Sequence, residues 1–518
     1  MKYFNIAGPC NSLEHYMIDS SSRLQGVEQL IDREQYFVIH AARQSGKTTY
    51  LKDLTKRLNA EGRYYALYCS LESVQNIIKP EEGIPAVIRS LYSFLKYTAI
   101  PNTGRFVSDA DYADYNNVLR TSLTDYCMVL DKPLVIFFDE ADCLSDDTLI
   151  LFLGQLRAGY NERSTTPFVH SVALVGMRNI RDYKARIRPD SETLGSVSPF
   201  NIVTESLTLK NFTKEEITQL YKQHTDETGQ VFEEDAIEWV WEQTQGQPWL
   251  VNAIAREVIE KILHSDYTKP VTAERVNDAI QNIILTRPTH IDSLLERLKE
   301  DRVRRIIEPM ILGEEFINKE SDDFLYTRDL GLIRTVHARI EPANPIYAEV
   351  IVRKLSSNTQ EALENPKYPY QMPRYLKDGR IDMDFLMRDF QQFWRENSEI
   401  WEERFDYREA APHLVMMAFL QRVVNGGGQI IREMASGSGR LDLCLVYENR
   451  KYPIELKIRY GKKYPEEGLT QTARYMDVHD CKEGWLVVFD RRTSIKWSDK
   501  IYLKKKTVDG KTVTVVGV

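Results

Sequence analysis

Cysteine is scarce in this chain, with six in 518 residues: Cys10, Cys69, Cys127, Cys143, Cys444 and Cys481. None stands in the two-residue pairing, with histidines close by, that a zinc site needs, so buried free thiols are expected. Long apolar runs are missing too. No stretch approaches the roughly 18 residues of a membrane span, and the opening MKYFNIAGPCNS lacks the apolar core of a signal peptide, so a cytoplasmic protein without a membrane partner is expected. Internal repeats and low-complexity tracts are not visible. What remains is a globular composition, 42% hydrophobic and 28% charged, able to bury several cores. At about 100–200 residues per domain, the length implies about three or four of them.

Negative charge dominates overall, at −8, but unevenly: residues 430–518 carry +6 and the rest of the chain −14. A basic module on an acidic body suits an anionic partner such as nucleic acid at one end; a merely solvated basic face explains the same numbers.

The run YFVIH (36–40) breaks into AARQSGKTT and then the helical YLKDLTKRLNAEG, closed by Gly62. Further apolar strands follow at YYALYCSL, PLVIFF and VHSVALVG, with helical stretches between them. Almost continuously apolar strands alternating with helices predict an α/β fold with a parallel sheet covered on both faces, over residues 1–207. Helices then take over: Thr213 with Glu216 forms a capping box, and the pattern through residues 208–287 predicts a helical lid. Residues 288–355 read as helices followed by short strands, the pattern of a small winged-helix domain or a generic helical bundle. Residues 356–380, with three prolines and no sustained period, are expected to be a linker. A second α/β domain is expected over 381–518.

A strand feeding a turn that ends Gly46-Lys47-Thr48 and opens a helix is a phosphate-binding loop. Backbone N–H groups of Arg43, Gln44, Ser45, Gly46 and Thr49 would line the phosphates, Lys47 would reach the β and γ phosphates, and the Thr48 hydroxyl would bind magnesium. Ala41 stands where the first glycine of the pattern is usual. The second half of the site is Asp139-Glu140 at the end of PLVIFF: Asp139 as a magnesium carboxylate, Glu140 as the base for the attacking water. The segments HAARQSGKTT, FFDEAD and TQGQPWLVNAIAR resemble the AAA-like ATPases of the STAND and archaeal-ATPase group, over roughly residues 1–350. The resemblance implies ATP hydrolysis, a polar γ-phosphate sensor at Arg178, a lid contact at Pro248 of the Gly246-Gln247-Pro248 segment, and an N-terminal strap over the adenine with His15 and Tyr16 as contacts. It leaves any arginine finger, and hence a homo-oligomer, open.

The C-terminal segment GQIIREMASGSGRLDLCLVYENRKYPIELKIRYG holds other chemistry. One alternating strand carries Asp442; the next carries Glu455 and Lys457, two apart and therefore on one face. Carboxylates from adjacent strands suit magnesium or manganese, and a lysine beside them can orient the attacking water. Asp442 and Glu455-Leu456-Lys457 resemble the PD-(D/E)XK nuclease superfamily over about residues 405–495, with Leu441 where the motif has proline. Gln471 and Tyr475, one helical turn apart, are similar to the Gln-x-x-x-Tyr element of the RecB-like branch, and the resemblance implies a further acidic ligand at Glu409. Arg432 and Arg440 either clamp phosphates or balance nearby acids. The expected whole is an ATPase whose nucleotide state gates a metal-dependent nuclease acting on DNA or RNA, with defence against foreign nucleic acid suggested by analogy. The competing reading is a nucleotide-switch regulator with a non-catalytic nuclease-like domain.

Overall fold

The computed structural model describes residues 1–19, 23–101, 106, 111–176, 202–311, 321–336, 339–363, 372–404, 411–424, 429–432, 443–448, 450–459, 466–492 and 495–518. Two compact units emerge, Met1–Thr286 with Asp329–Gly331, and Arg287–Arg328 with Leu332–Val518. Among the described residues, no helix is long and apolar enough to cross a membrane.

The first unit is built on strands β1 (Tyr36–His40), β2 (Tyr65–Ser70), β3 (Leu134–Asp139), β4 (Ser171–Gly176) and β5 (Val203–Thr208). They form one parallel sheet in the order β2-β3-β4-β1-β5. Side chains alternate across the pleat, and both sets are buried. Phe37, Ile39, Val135, Phe137 and Val175 face helices α1 (Val27–Asp32) and α2 (Lys47–Glu61). Val38, Leu67, Ile136, Phe138 and Leu174 face α3 (Pro80–Leu95), α4 (Val118–Val129) and α5 (Asp146–Glu162). This double burial is why the strands read as unbroken apolar runs, each such side chain contributing roughly 1.5–3 kcal/mol on leaving water. Gly62 closes α2 in the left-handed conformation, at φ 75°.

A helical layer follows: α6 (Lys214–Thr228), α7 (Glu234–Thr244), α8 (Pro248–Arg256) and α9 (Ala273–Thr286). The capping box opening α6 is present, with Thr213 Oγ1 accepting from the Glu216 N–H at 3.2 Å and Glu216 returning to the Thr213 N–H at 2.9 Å. Where α7 turns into α8, Gly246 lies at φ 71°, its N–H donating to Thr244 Oγ1 at 3.1 Å and its carbonyl accepting the Phe212 N–H at 2.9 Å. A β-carbon there would sit 1.9 Å from the Phe212 carbonyl oxygen.

In the second unit, α10 (Thr289–Glu296), α11 (Asp301–Ile311) and α12 (Asp322–Asp329) precede an antiparallel pair, β6 (Ile333–Val336) and β7 (Arg339–Pro342). Helix α13 (Pro345–Leu363) runs on through the first residues of the stretch expected to be a linker. Its sequence to Leu363 has no helix breaker after Pro345, and the next proline is Pro366. The short pair β8 (Leu376–Lys377) and β9 (Arg380–Ile381) leads into α14 (Met383–Arg404) and α15 (Ala411–Val424). A mixed six-stranded sheet completes the chain: β10 (Gln429–Arg432), β11 (Leu443–Tyr447), β12 (Arg450–Arg459), β13 (Glu483–Asp490), β14 (Tyr502–Val508) and β15 (Lys511–Gly517), ordered β10-β11-β12-β13-β15-β14. Helix α16 (Glu466–Val478) is the crossover between the parallel pair β12 and β13. Edge strand β14 exposes Lys504, Lys505 and Lys506 in a row, which discourages edge-to-edge pairing.

Gly246 and Gly229 separate two contributions to glycine's use. Both have positive φ, but nothing lies within 4 Å of a β-carbon at Gly229. Gly229→Ala is expected to lower stability by about 1 kcal/mol, the left-handed penalty alone, whereas Gly246→Ala adds a backbone clash and should cost at least 2–3 times as much; thermal melting of the two variants measures the difference.

Candidate functional site

The parallel sheet places the ends of β1 and β3 on one rim with β4 between them, and the carboxyl rim of such a sheet is where ligands bind. After β1 the chain turns through Gln44 at φ 56° and Gly46 at φ 93°, the cap of α2. The turn leaves the first N–H groups of α2 without intrahelical partners, a ready anion site. Lys47 is 7% exposed, and its Nζ donates to the Ala41 carbonyl at 2.8 Å and the Ala42 carbonyl at 2.9 Å. Burial lowers its pKa, opposed by Glu140, Asp139 and Asp142. The alanine at the usual glycine position is accommodated, Ala41 being buried with its carbonyl holding the lysine.

Thr48 donates its hydroxyl to Asp139 Oδ2 at 2.7 Å, so the two residues expected to share magnesium meet. Their oxygens are the hard donors that this ion takes, and with nucleotide phosphates and water they would complete its shell; the donor set fits. Among the described residues there is no group of three or more His, Cys, Asp or Glu side chains placed to hold a metal by themselves. Glu140, left-handed at φ 57°, follows directly, its own N–H donating to Asp139 Oδ1 at 3.1 Å. Burial, then Asp142 and Asp139, raise its carboxyl pKa against the pull of Lys47 and Arg43, which moves the group toward the range useful for a base. Arg43 and Gln44 are exposed on the loop, and Ser45 is buried.

Three further side chains support this rim, and two of them, Arg23 and Tyr68, stand at positions that no motif marks. Arg23, 6% exposed, donates through Nη2 to the Ser45 carbonyl at 2.8 Å and through Nε to the Lys210 carbonyl at 2.9 Å, its guanidinium 4.7 Å from the Phe212 ring centroid. Gln247 Nε2 reaches the Gln44 carbonyl at 3.5 Å while its side-chain oxygen caps α8 through the Leu250 N–H. Tyr68 on β2 donates to Asp139 Oδ2 at 2.9 Å. Pro248 is buried as the first residue of α8.

The N-terminal strap does reach this rim, with the Cys10 N–H donating to Thr49 Oγ1 at 3.0 Å. His15 is buried, pairs with Tyr3 in a β-bridge and accepts the Asn11 N–H at Nδ1, 2.8 Å away. Tyr16 donates to Glu227 at 2.8 Å and packs on Phe4, and Trp249 Nε1 donates to the Ile6 carbonyl at 2.9 Å. These contacts tie the strap to α6 and α8. Arg178 lies outside the described residues.

In the second unit, Glu455 and Lys457 share one face of β12 and form an ion pair, Oε1 to Nζ 2.8 Å, with Glu455 only 1% exposed. Helix α16 lies flush on that face; a β-carbon at Gly468 would be 3.0 Å from Lys457 Cγ. Gln471 and Tyr475 are on this helix, Tyr475 packed against His479 with ring centroids 4.2 Å apart and planes tilted by 36°. Asp442 and Glu409 lie outside the described residues; Leu443, next after Asp442, pairs with Ile454 beside Glu455. His413, which sequence reasoning missed, is buried in α15 near Lys457, and burial, then Lys457, push its pKa down to about 3.

No protein-family model and no curated protein matches the chain. Similar solved structures include the Walker-type ATPase PABY2304 of Pyrococcus abyssi, at TM-score 0.47 and 16% identity over 67% of this chain and 99% of that one. The Thermotoga maritima RuvB Holliday junction branch migration motor gives 0.32 and 14% over 62% and 88%, and Cdc6p from Pyrobaculum aerophilum 0.35 and 13% over 78% and 99%.

Two outcomes follow from this geometry. Lys47→Ala should abolish nucleotide binding, and Glu140→Gln should retain binding while turnover falls by a factor of about 10² or more, measured as phosphate release. The buried neutral His413 makes the second unit acid-sensitive. Its folded pKa is depressed to about 3 from the ordinary 6.5, so the unfolded chain takes up the proton first and stability falls as pH drops below 6.5. The loss between pH 7 and 5 is about 2 kcal/mol for this group. In denaturant titrations, His413→Leu should lose less stability than wild type over that interval.

Proposed function

We propose that the protein hydrolyses ATP at the rim of the first unit and uses the bound nucleotide's state to control a metal-dependent phosphodiesterase centre in the second, acting on DNA or RNA. The observation that carries the first half is the meeting of Thr48 and Asp139 beside a buried Lys47 at the head of α2. There the loop N–H groups and Lys47 bind the phosphate oxygens, and Glu140 takes the proton of the attacking water. Magnesium, when bound by Thr48 and Asp139, supplies charge neutralisation at the phosphates.

The second half is supported by the Glu455–Lys457 pair on one face of β12, by α16 bringing Gln471 and Tyr475 to the same sheet, and by the order helix, three antiparallel strands, helix, parallel strand from α15 to β13. Glu455, with Asp442 and Glu409, would hold magnesium or manganese, and Lys457 would orient water toward the phosphodiester. The basic excess after residue 430 matches a polyanionic substrate. Phosphodiester hydrolysis is downhill, so ATP would serve as a switch and not as an energy source. A homo-oligomer and a role in defence against foreign nucleic acid belong to the same proposal.

The test is incubation of the full chain with labelled duplex DNA, single-stranded DNA and RNA, with magnesium or manganese, under ATP, ADP or no nucleotide. Asp442→Ala and Lys457→Ala should each eliminate cleavage and leave ATP hydrolysis within about twofold of wild type. Tight nucleic-acid binding without cleavage in any metal would establish a regulator, with the second unit as a clamp.

A further inference from the structure

Asp139 is 1% exposed, and its carboxylate is held by three donors. Thr48 and the Glu140 N–H belong to the motifs already described. The third, Tyr68, does not. It sits on β2, the edge strand whose register with β3 sets Tyr68 opposite Phe137 and Ser70 opposite Asp139. From that position the phenol reaches across to Asp139 Oδ2 at 2.9 Å, the same oxygen that accepts from Thr48. Two side chains flank the ring. Phe94 of α3 meets it edge to face at 5.5 Å between centroids, and Lys52 Nζ of α2 lies 5.3 Å from its centroid.

A carboxylate at a strand end can turn about its last torsion, which is broad and two-fold, and between the two equivalent positions neither oxygen is aimed at Thr48. We propose that Tyr68 is a positioning residue for the magnesium–nucleotide complex: it fixes the Asp139 carboxylate with Oδ2 toward Thr48, so that the two oxygen donors are aligned before the ion arrives. The inference rests on reading the rim as an ATP site and adds a residue that the phosphate-loop pattern does not contain. Groups that hydrogen-bond to a metal-ligating carboxylate hold its orientation, and their loss typically weakens metal binding by roughly 10- to 100-fold.

Tyr68→Phe removes the hydroxyl and keeps the ring between Phe94 and Lys52, so the fold is retained. Binding of a fluorescent ATP analogue is measured in excess EDTA and then during magnesium titration, alongside thermal melting. The expected result is unchanged affinity in EDTA, within about twofold, and a magnesium midpoint raised roughly tenfold or more. Adding Tyr68→Phe to Asp139→Ala should change nothing further, because the acceptor of the Tyr68 hydroxyl is gone. An unshifted magnesium midpoint with intact nucleotide binding overturns the role of Tyr68 and leaves the ATP site standing. Equal loss of affinity in EDTA and in magnesium also overturns it, since that is the mark of a packing defect. If wild type and Lys47→Ala bind the analogue equally weakly, the ATP reading itself fails and the proposal with it.

Discussion

One carboxylate organises the first unit. Asp139 ends β3 almost wholly out of water, where an ionised group survives only if its oxygens are filled by donors. Thr48, Tyr68 and the Glu140 N–H fill them, drawn from α2, β2 and the turn after β3. Those partners reach one point only if the sheet runs in the order it does and α2 starts where Gly46 places it. The apolar layers on either side of the sheet are therefore the means by which a buried anion keeps its company. A nearby lysine completes the balance, Lys47 being buried too and held by the Ala41 and Ala42 carbonyls.

Among the described residues twelve non-glycine positions have positive φ, and three of them border this site. Gln44, Glu140 and Gln245 all adopt positive φ without being glycine, and each stands at a turn bordering the loop, the carboxylate or the lid. Such conformations cost about 1–3 kcal/mol each and persist where the surroundings hold them. At Gln44 the restraint is visible: its carbonyl meets Gln247 of the lid, and the carbonyl of Ser45, next along, is gripped by Arg23.

The parallel sheet, the loop and the acidic pair were legible because each is encoded locally, in apolar runs, a glycine at a turn and a strand-end carboxylate. The capping box at Thr213 and the close of α2 at Gly62 were legible for the same reason. Tyr68 and Arg23 were not. A tyrosine inside a strand reads as core, and only the β2–β3 register reveals that its hydroxyl reaches Asp139. An arginine preceding a short helix reads as solvated, and only the fold brings Lys210 and Ser45 to it. Glu455 and Lys457 were legible from strand alternation, whereas His413 was hidden in an apolar helix whose burial pattern gives a histidine no mark of its own. The first residues of the 356–380 stretch read as linker because they are polar, yet no helix breaker stands before Pro366, and α13 runs to Leu363.

A bound nucleotide can shift a protein between arrangements only by the difference in its affinity for them. In the first unit the described residues join the loop to the helical layer through a short set of contacts. Gln247 holds the Gln44 carbonyl, and Arg23 joins the Ser45 carbonyl to the Lys210 carbonyl at the entry to the lid. Phe212 then closes the circuit, stacked under Arg23 and bonded through its N–H to Gly246. Every one of these bonds ends on a backbone carbonyl, and Gly246 admits no side chain beside the Phe212 carbonyl. A displacement of the loop would therefore be passed to the start of the helical layer through the side chains of Gln247 and Arg23, each anchored on a main-chain carbonyl. The link between the loop and the helical layer thus runs from main chain to main chain through two side chains, Gln247 and Arg23, so a change at either end meets the other through them.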